Sequence, residues 1–201
     1  MTLALIDYGA GNLRSVANAL AAAGADDLAI TADPDLVARA DRIVLPGVGA
    51  FGACAGALRA IPGMVEALDQ RARHHGAPFL GICVGMQLMA ETGEELGVHQ
   101  GLGWIPGTVR LLTPASAEAK VPHMGWNDVA PVIPHPLIEP GEAYFLHSYA
   151  FTGDAVLATT DHGGPVAAAI GRDNMIGVQF HPEKSQRYGI ALLERFLAWK
   201  P

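Results

Sequence analysis

The chain has 201 residues, half of them hydrophobic, with 24 glycines and 14 prolines, which fits one globular domain over 1–201 with a sizeable core. A net charge of −7 without any basic run speaks against nucleic acid or an anionic membrane surface as a partner, and no apolar run approaches the roughly 18 residues that a spanning helix needs. The start Met1-Thr2-Leu3-Ala4-Leu5-Ile6-Asp7 does not read as a signal peptide, and two distant cysteines without a C-x-x-C pattern indicate a reducing compartment, so a cytoplasmic protein is expected.

Leu3-Ala4-Leu5-Ile6 predicts a first buried strand ending at Asp7, followed by a tight turn, Tyr8-Gly9-Ala10-Gly11-Asn12. The two glycines begin like a dinucleotide fingerprint, but Arg14 stands where G-x-G-x-x-G requires its third glycine. A helix is expected over 13–23, with Leu13, Val16, Ala17 and Leu20 on one face and Gly24 as its stop. A strand over 28–31 precedes Asp33-Pro34, an N-cap followed by a proline at the first helical position. A third strand, over 42–45, runs into Pro46-Gly47-Val48-Gly49-Ala50-Phe51-Gly52. This glycine-rich loop lies at the C-terminal end of a buried strand, the edge at which open α/β sheets bind ligands. It can offer N–H groups to an anion, or be a plain strand-to-helix turn. Two helical stretches follow, separated by Pro62-Gly63 and closing at His74-His75-Gly76, where the histidines complement the helix dipole. Cys54, with no elbow around it, reads as core packing.

The strongest chemical signal is Pro78-Phe79-Leu80-Gly81-Ile82-Cys83-Val84-Gly85-Met86-Gln87-Leu88-Met89. It begins as a buried strand, turns at the glycine-flanked Cys83, and continues over 86–90 as a helix. A reactive side chain at such a turn is a nucleophile elbow. The glycines are needed because a Cβ on either would meet crowded backbone. The turn lifts the sulfur above the sheet to a helix N-terminus, whose partial charge favours the thiolate. Beyond Gly107 the strand–helix alternation stops. Strands are expected over 108–112, 126–129, 142–150, 155–160, 166–170 and 175–180, then an amphipathic helix over 187–200 with Ile190, Leu193, Phe196 and Leu197 inward. The fold class is therefore α/β, a mostly parallel sheet with crossover helices and an antiparallel C-terminal extension.

A nucleophilic cysteine needs a histidine to carry its proton, and the histidine needs an acceptor that fixes its tautomer. His181-Pro182-Glu183 follows the last strand. Proline holds His181 extended, and residues i and i+2 of extended backbone face the same way, so His181 and Glu183 are expected side by side. Cys83, His181 and Glu183 then form nucleophile, base and orienter. The N–H of Val84, with Val48 and Gly49 of the glycine-rich loop, can form an oxyanion hole. This set performs acyl transfer through a thioester, on an amide, an ester or a peptide. The eight histidines are scattered without ligand spacing, so no metal is expected, and nothing requires an organic cofactor.

Gly81-Ile82-Cys83-Val84-Gly85-Met86-Gln87 together with His181-Pro182-Glu183 resembles the class I, triad-type glutamine amidotransferases. Within them, Ile6-Asp7-Tyr8-Gly9-Ala10-Gly11-Asn12-Leu13-Arg14-Ser15, Leu45-Pro46-Gly47-Val48-Gly49-Ala50-Phe51, Val121-Pro122-His123-Met124-Gly125-Trp126-Asn127, Tyr144-Phe145-Leu146-His147-Ser148-Tyr149 and Gly177-Val178-Gln179-Phe180-His181-Pro182-Glu183-Lys184-Ser185 are similar to the glutaminase subunits of imidazole glycerol phosphate synthases. Residues 113–120 and 130–141 match nothing usable. The resemblance implies the three-layer fold of that family and hydrolysis of glutamine to glutamate and ammonia. The ammonia would pass through a (β/α)8 cyclase partner, in a heterodimer, to give imidazole glycerol phosphate and an aminoimidazole carboxamide ribonucleotide in histidine biosynthesis. It further implies that Gly47, Gly49, Gln87, His147, Ser148 and Tyr149 hold glutamine, and that Asn12, Trp126, Tyr144 and Lys184 face the barrel. A family trait is near silence until the barrel binds its nucleotide, which would reside in reorientation of the Gly47-Val48-Gly49 peptide. The competing readings are the glutaminase of another synthase, a stand-alone cysteine hydrolase, and a catalytically dead binding subunit. The Tyr8-to-Asn12 and Val121-to-Trp126 motifs oppose the first, and the intact triad opposes the last.

Overall fold

Apolar runs build the centre of the computed structural model, which describes residues 2–116 and 118–201. In the first half, strands β1 (Thr2–Ile6), β2 (Asp27–Thr31), β3 (Arg42–Leu45) and β4 (Phe79–Ile82) alternate with helices α1 (Leu13–Ala22), α2 (Pro34–Val37), α3 (Phe51–Ala60) and α4 (Met64–Leu68). A one-turn helix, α5 (Val84–Gln87), follows β4. The second half is β5 (Ala90–Gly93), β6 (His99–Gln100), β7 (Ile105–Leu111), β8 (His123–Pro131), β9 (Gly141–His147), β10 (Tyr149–Thr152), β11 (Val156–Asp161), β12 (Pro165–Arg172) and β13 (Met175–Val178), closed by helix α6 (Gln186–Ala198).

Nine strands form one mixed sheet in the order β2-β1-β3-β4-β13-β12-β11-β8-β9. The first five are parallel and the other four pair antiparallel. Every residue of β3, β4 and β13 is buried, as strands covered on both faces must be. Leu5, Ile43, Leu45 and Phe79 are wholly inaccessible, and each such side chain contributes about 1.5–3 kcal/mol through its burial. The right-handed crossover rule puts α1 on one face and α2 to α4 on the other; α1 packs with α6, and α4 with α2 and α3. Local signals act as read: Asp33 Oδ1 caps the Asp35 N–H at 2.9 Å ahead of Pro34, and Gly24 (φ +96°) ends the first helix.

Three expectations fail, each for a physical reason. The helix expected over 86–90 stops after one turn. Met89 N–H closes a tighter turn on Met86 O at 3.0 Å, and the carbonyls beyond it turn to the returning segment: Leu102 N–H donates to Leu88 O at 2.7 Å, Ile105 N–H to Met89 O at 2.9 Å and Gly103 N–H to Ala90 O at 3.0 Å. The chain therefore enters β5, which the sequence did not announce. The strand expected over 142–150 divides at Ser148 into β9 and β10, which belong to different sheets. The backbone from His181 to Glu183 is not continuously extended, because residues Pro182–Lys184 form a tight 3-10 turn.

Candidate active site

Register places the site. Leu45 lies opposite Gly81, and Gly177 lies opposite Gly81 on the other side. The chain leaving β3, β4 and β13 therefore emerges side by side at the C-terminal edge of the sheet, as the loop from Pro46, as Cys83 and as Gln179–His181. Cys83 sits at φ +53°, ψ −112°, a strained conformation costing on the order of 1–3 kcal/mol. Its N–H is held on Val178 O at 2.8 Å. A Cβ on Gly81 would stand 2.7 Å from Gly85 O, one on Gly47 would stand 2.6 Å from Gly85 N, and one on Gly85 would collide with Leu45 O. The elbow and the glycine-rich loop thus interlock backbone to backbone.

His181 has the extended conformation expected before proline (φ −100°, ψ +100°). The following 3-10 turn brings Glu183 back under the ring, and Glu183 Oε1 lies 2.8 Å from His181 Nδ1. Both side chains are almost wholly buried. With Nδ1–H directed at the carboxylate, Nε2 is left for the cysteine. His181 N–H donates to Tyr144 O at 2.9 Å, while Ser185 Oγ donates to His181 O at 2.6 Å and accepts from Tyr144 N–H at 2.9 Å, so His181 is stitched to β9. Burial alone would lower the imidazole; hydrogen bonds to Cys83 and Glu183, and their charges, outweigh it and hold His181 at about 9.

A pocket of about 310 Å³ opens above the sulfur. It is lined by Val48, Gly49, Cys83, Val84 and Gln87 and by His147, Ser148, Tyr149, His181 and Lys184. Gly47 packs against the elbow and Glu183 lies beside His181, neither lining the pocket. Lys184, expected to face a partner, is a pocket residue whose Nζ stands 5.8 Å over the Tyr144 ring. Asn12, Trp126 and Tyr144 are outside the pocket. Asn12 Oδ1 accepts from Ser15 N–H at 3.4 Å as the cap of α1. Trp126 and Tyr144 are paired across β8 and β9, next to Met124 and Leu146. Met124 is 65% exposed and Trp126 47% exposed, so these strands present an apolar face that reaches the pocket at Leu146.

Sequence reading gave no role to several residues here. Gln179 is fully buried, and its Nε2 approaches Cys83 Sγ at 3.8 Å. Gln87 Nε2 donates to Gln179 Oε1 at 3.0 Å and to Tyr149 O at 2.9 Å. A wholly buried amide in the apolar run from Met175 to Phe180 was the available signal. Glu95, on the pocket wall, accepts from Phe51 N–H at 2.7 Å; nothing in its surroundings marked it. His147 Nδ1 meets the Tyr149 carbonyl at 3.0 Å, which can only accept. Its Nε2 therefore accepts from His123 Nδ1 at 3.1 Å, and His123 Nε2 accepts from Asn127 Nδ2 at 3.1 Å. Both rings are neutral in this arrangement. Burial is the main cause that lowers His147 to about 3 and His123 to about 4.

The loop that follows β3 has a different character. Val84 N–H, the donor expected for an oxyanion, is directed at the Gly47 carbonyl at 3.4 Å. Val48 is 43% exposed and Gly49 has φ +108°.

Residues 4–199 match the family Glutamine amidotransferase class-I. The chain is 63% identical to imidazole glycerol phosphate synthase subunit HisH of Zymomonas mobilis, over all of this chain and 97% of that protein. It is 52% identical to the subunit of the same name from Caulobacter vibrioides, over all of this chain and 99% of that one. Among solved structures, one described as a glutamine amidotransferase superimposes with a TM-score of 0.75 at 16% identity, covering 98% of each chain. The chain therefore belongs to the class I glutamine amidotransferases and, within them, to the HisH subunits of imidazole glycerol phosphate synthase.

Proposed function

We propose that this glutamine amidotransferase hydrolyses glutamine through a thioester on Cys83 and delivers the ammonia to a (β/α)8 cyclase partner seated over the pocket mouth. The observation that carries the reading is the convergence of Cys83, His181 and Glu183 at one sheet edge beneath a pocket of about 310 Å³. Cys83 Sγ attacks the side-chain amide carbon. The tetrahedral intermediate collapses as His181 Nε2 protonates the leaving nitrogen, and ammonia departs. His181 then takes a proton from water, the hydroxide attacks the thioester, and glutamate leaves as the thiol is regenerated. Glu183 holds the ring in one tautomer throughout. Gln87 and the backbone of His147, Ser148 and Tyr149 hold the substrate, and the Glu95 carboxylate suits its ammonium group.

The oxyanion forms beside the Val84 N–H, which the Gly47 carbonyl meets at rest. Rotation of the Gly47-Val48 peptide frees that donor and brings the Val48 N–H in beside it. The liganded partner drives this rotation, and the apolar face of β8 and β9 with Lys184 suits its docking. The products are imidazole glycerol phosphate and an aminoimidazole carboxamide ribonucleotide. Two free cysteines, one of them the nucleophile, fit a reducing cytoplasm. Among the described residues, no single helix is long and apolar enough to cross a membrane. The test is chemical labelling: a glutamine-like chloroketone should modify Cys83 at one equivalent and abolish glutamate release. Modification elsewhere with Cys83 untouched would refute the assignment.

A further inference from the structure

Two buried side chains that the reaction does not use touch the oxyanion loop on either side of its movable peptide. Tyr8, at the end of β1, donates its hydroxyl to Pro46 O at 2.7 Å. Cys54, in α3, directs its thiol at Val48 O at 3.4 Å, a normal length for a weak sulfur donor. A Cβ on Gly47 would stand 2.9 Å from the Tyr8 hydroxyl, so the phenol lies directly against the peptide in question. Tyr8 is 5% exposed and Cys54 2%, so both donors are shielded from bulk water. Burial pushes both groups up, and both keep their protons at neutral pH.

Three successive carbonyls therefore differ in how they are held. Those of Pro46 and Val48 are tied to side chains of the rigid body. That of Gly47, between them, has among the described residues only the 3.4 Å contact with the Val84 N–H, the long end of the hydrogen-bond range. We infer that Tyr8 and Cys54 are positioning residues that clamp the loop at Pro46 and Val48, confining its activation to rotation of the one Gly47-Val48 peptide and fixing where the Val48 N–H arrives. The inference rests on the gated glutaminase proposed above. The clamp acts in the turned state, because both outer carbonyls can stay in place while ψ of Gly47 and φ of Val48 counter-rotate.

The experiment uses the complex with the cyclase and its nucleotide, measuring kcat and KM for glutamine. Complete loss of one oxyanion donor costs about 10²- to 10³-fold in kcat; a misplaced donor should cost less. Tyr8→Phe and Cys54→Ala are each expected to lower the stimulated kcat roughly tenfold, with KM unchanged. Cys54→Ser, which keeps a donor, should restore most of the loss. Chloroketone labelling of Cys83 should remain at one equivalent in all three. Unchanged stimulated kcat in both Tyr8→Phe and Cys54→Ala would overturn the clamp, as would a loss confined to KM or a serine variant no better than alanine. Tyr8→Phe and Cys54→Ser preserve shape, so the test stands even if Cys54→Ala misfolds. A wild-type complex without glutaminase activity would instead refute the underlying reading.

Discussion

Cys83, His181 and Glu183 are fixed by strand register, a strained elbow and buried hydrogen bonds of 2.6 to 2.9 Å through β9 and Ser185 and to each other. The Gly47-Val48 peptide, by contrast, directs a carbonyl at the N–H that an oxyanion would need, across 3.4 Å. On the proposed reading the nucleophile and base stand ready before substrate arrives, whereas the groups that stabilise the transition state await one rotation. A partner that turns a single peptide would then control turnover without disturbing the triad. Storing control on the oxyanion side would also spare the unpartnered protein from hydrolysing glutamine to no purpose.

The largest test of this contrast is on the fixed side. Cys83→Ala should lower glutamate release by about 10⁴-fold or more, while synthase activity supplied with free ammonia survives; loss of the ammonia-dependent reaction would mean that the elbow also serves the partner. Glu183→Gln should lower kcat roughly 10³-fold because the amide no longer fixes the correct tautomer. A change of only a few-fold would show that burial alone orients the ring.

The histidines separate by pH. His181 is held up to about 9, so its contribution to stability is complete below its unfolded value near 6.5 and is lost as pH rises through 9. His147 and His123 are held down to about 3 and about 4. The unfolded chain protonates them first, so stability falls as pH drops below 6.5 toward those values. The alkaline limb should amount to about 3 kcal/mol, and the acid limb, which sums two histidines, to about 4 kcal/mol between pH 6.5 and 4.5, read as urea midpoints at pH 4.5, 6.5 and 9. Glu183→Gln should flatten the alkaline limb only. A smaller effect is expected on the movable side. Gly49 needs φ +108°, which proline cannot adopt. Gly49→Pro should lower stimulated turnover about 10²-fold while the complex still assembles, and unchanged stimulation would remove the loop from the gate.

The contrast also marks what could be read from sequence. The elbow was legible because Gly81 and Gly85 sit where any Cβ would meet Gly85 O or Leu45 O, and steric need of that kind leaves a trace in residue type. The pairing of His181 with Glu183 was legible from spacing, although a 3-10 turn rather than extended backbone makes it. The second sheet was hidden. Aromatic and apolar residues continue on both sides of Ser148, from Tyr144 to Phe151, with no glycine or proline between them, so nothing local announces that the chain changes sheets there. The early end of the elbow helix depends on carbonyls captured by residues 102–105, a tertiary event. Cys54 reads as packing, which it is, but its thiol also reaches Val48 O, a contact set by how α3 lies against the loop. The resting direction of the Gly47 carbonyl has no signature in glycine itself.

On the proposed reading the triad is complete in the resting protein and the oxyanion loop is not. Glutamate release by the purified chain, alone and then with the cyclase barrel and its nucleotide, alongside the rate of Cys83 labelling, tests this. Cys83 should be labelled in both states, and turnover should be low alone and rise by about 10²-fold or more with the liganded barrel. High turnover by the chain alone, unaltered by the barrel, would contradict it.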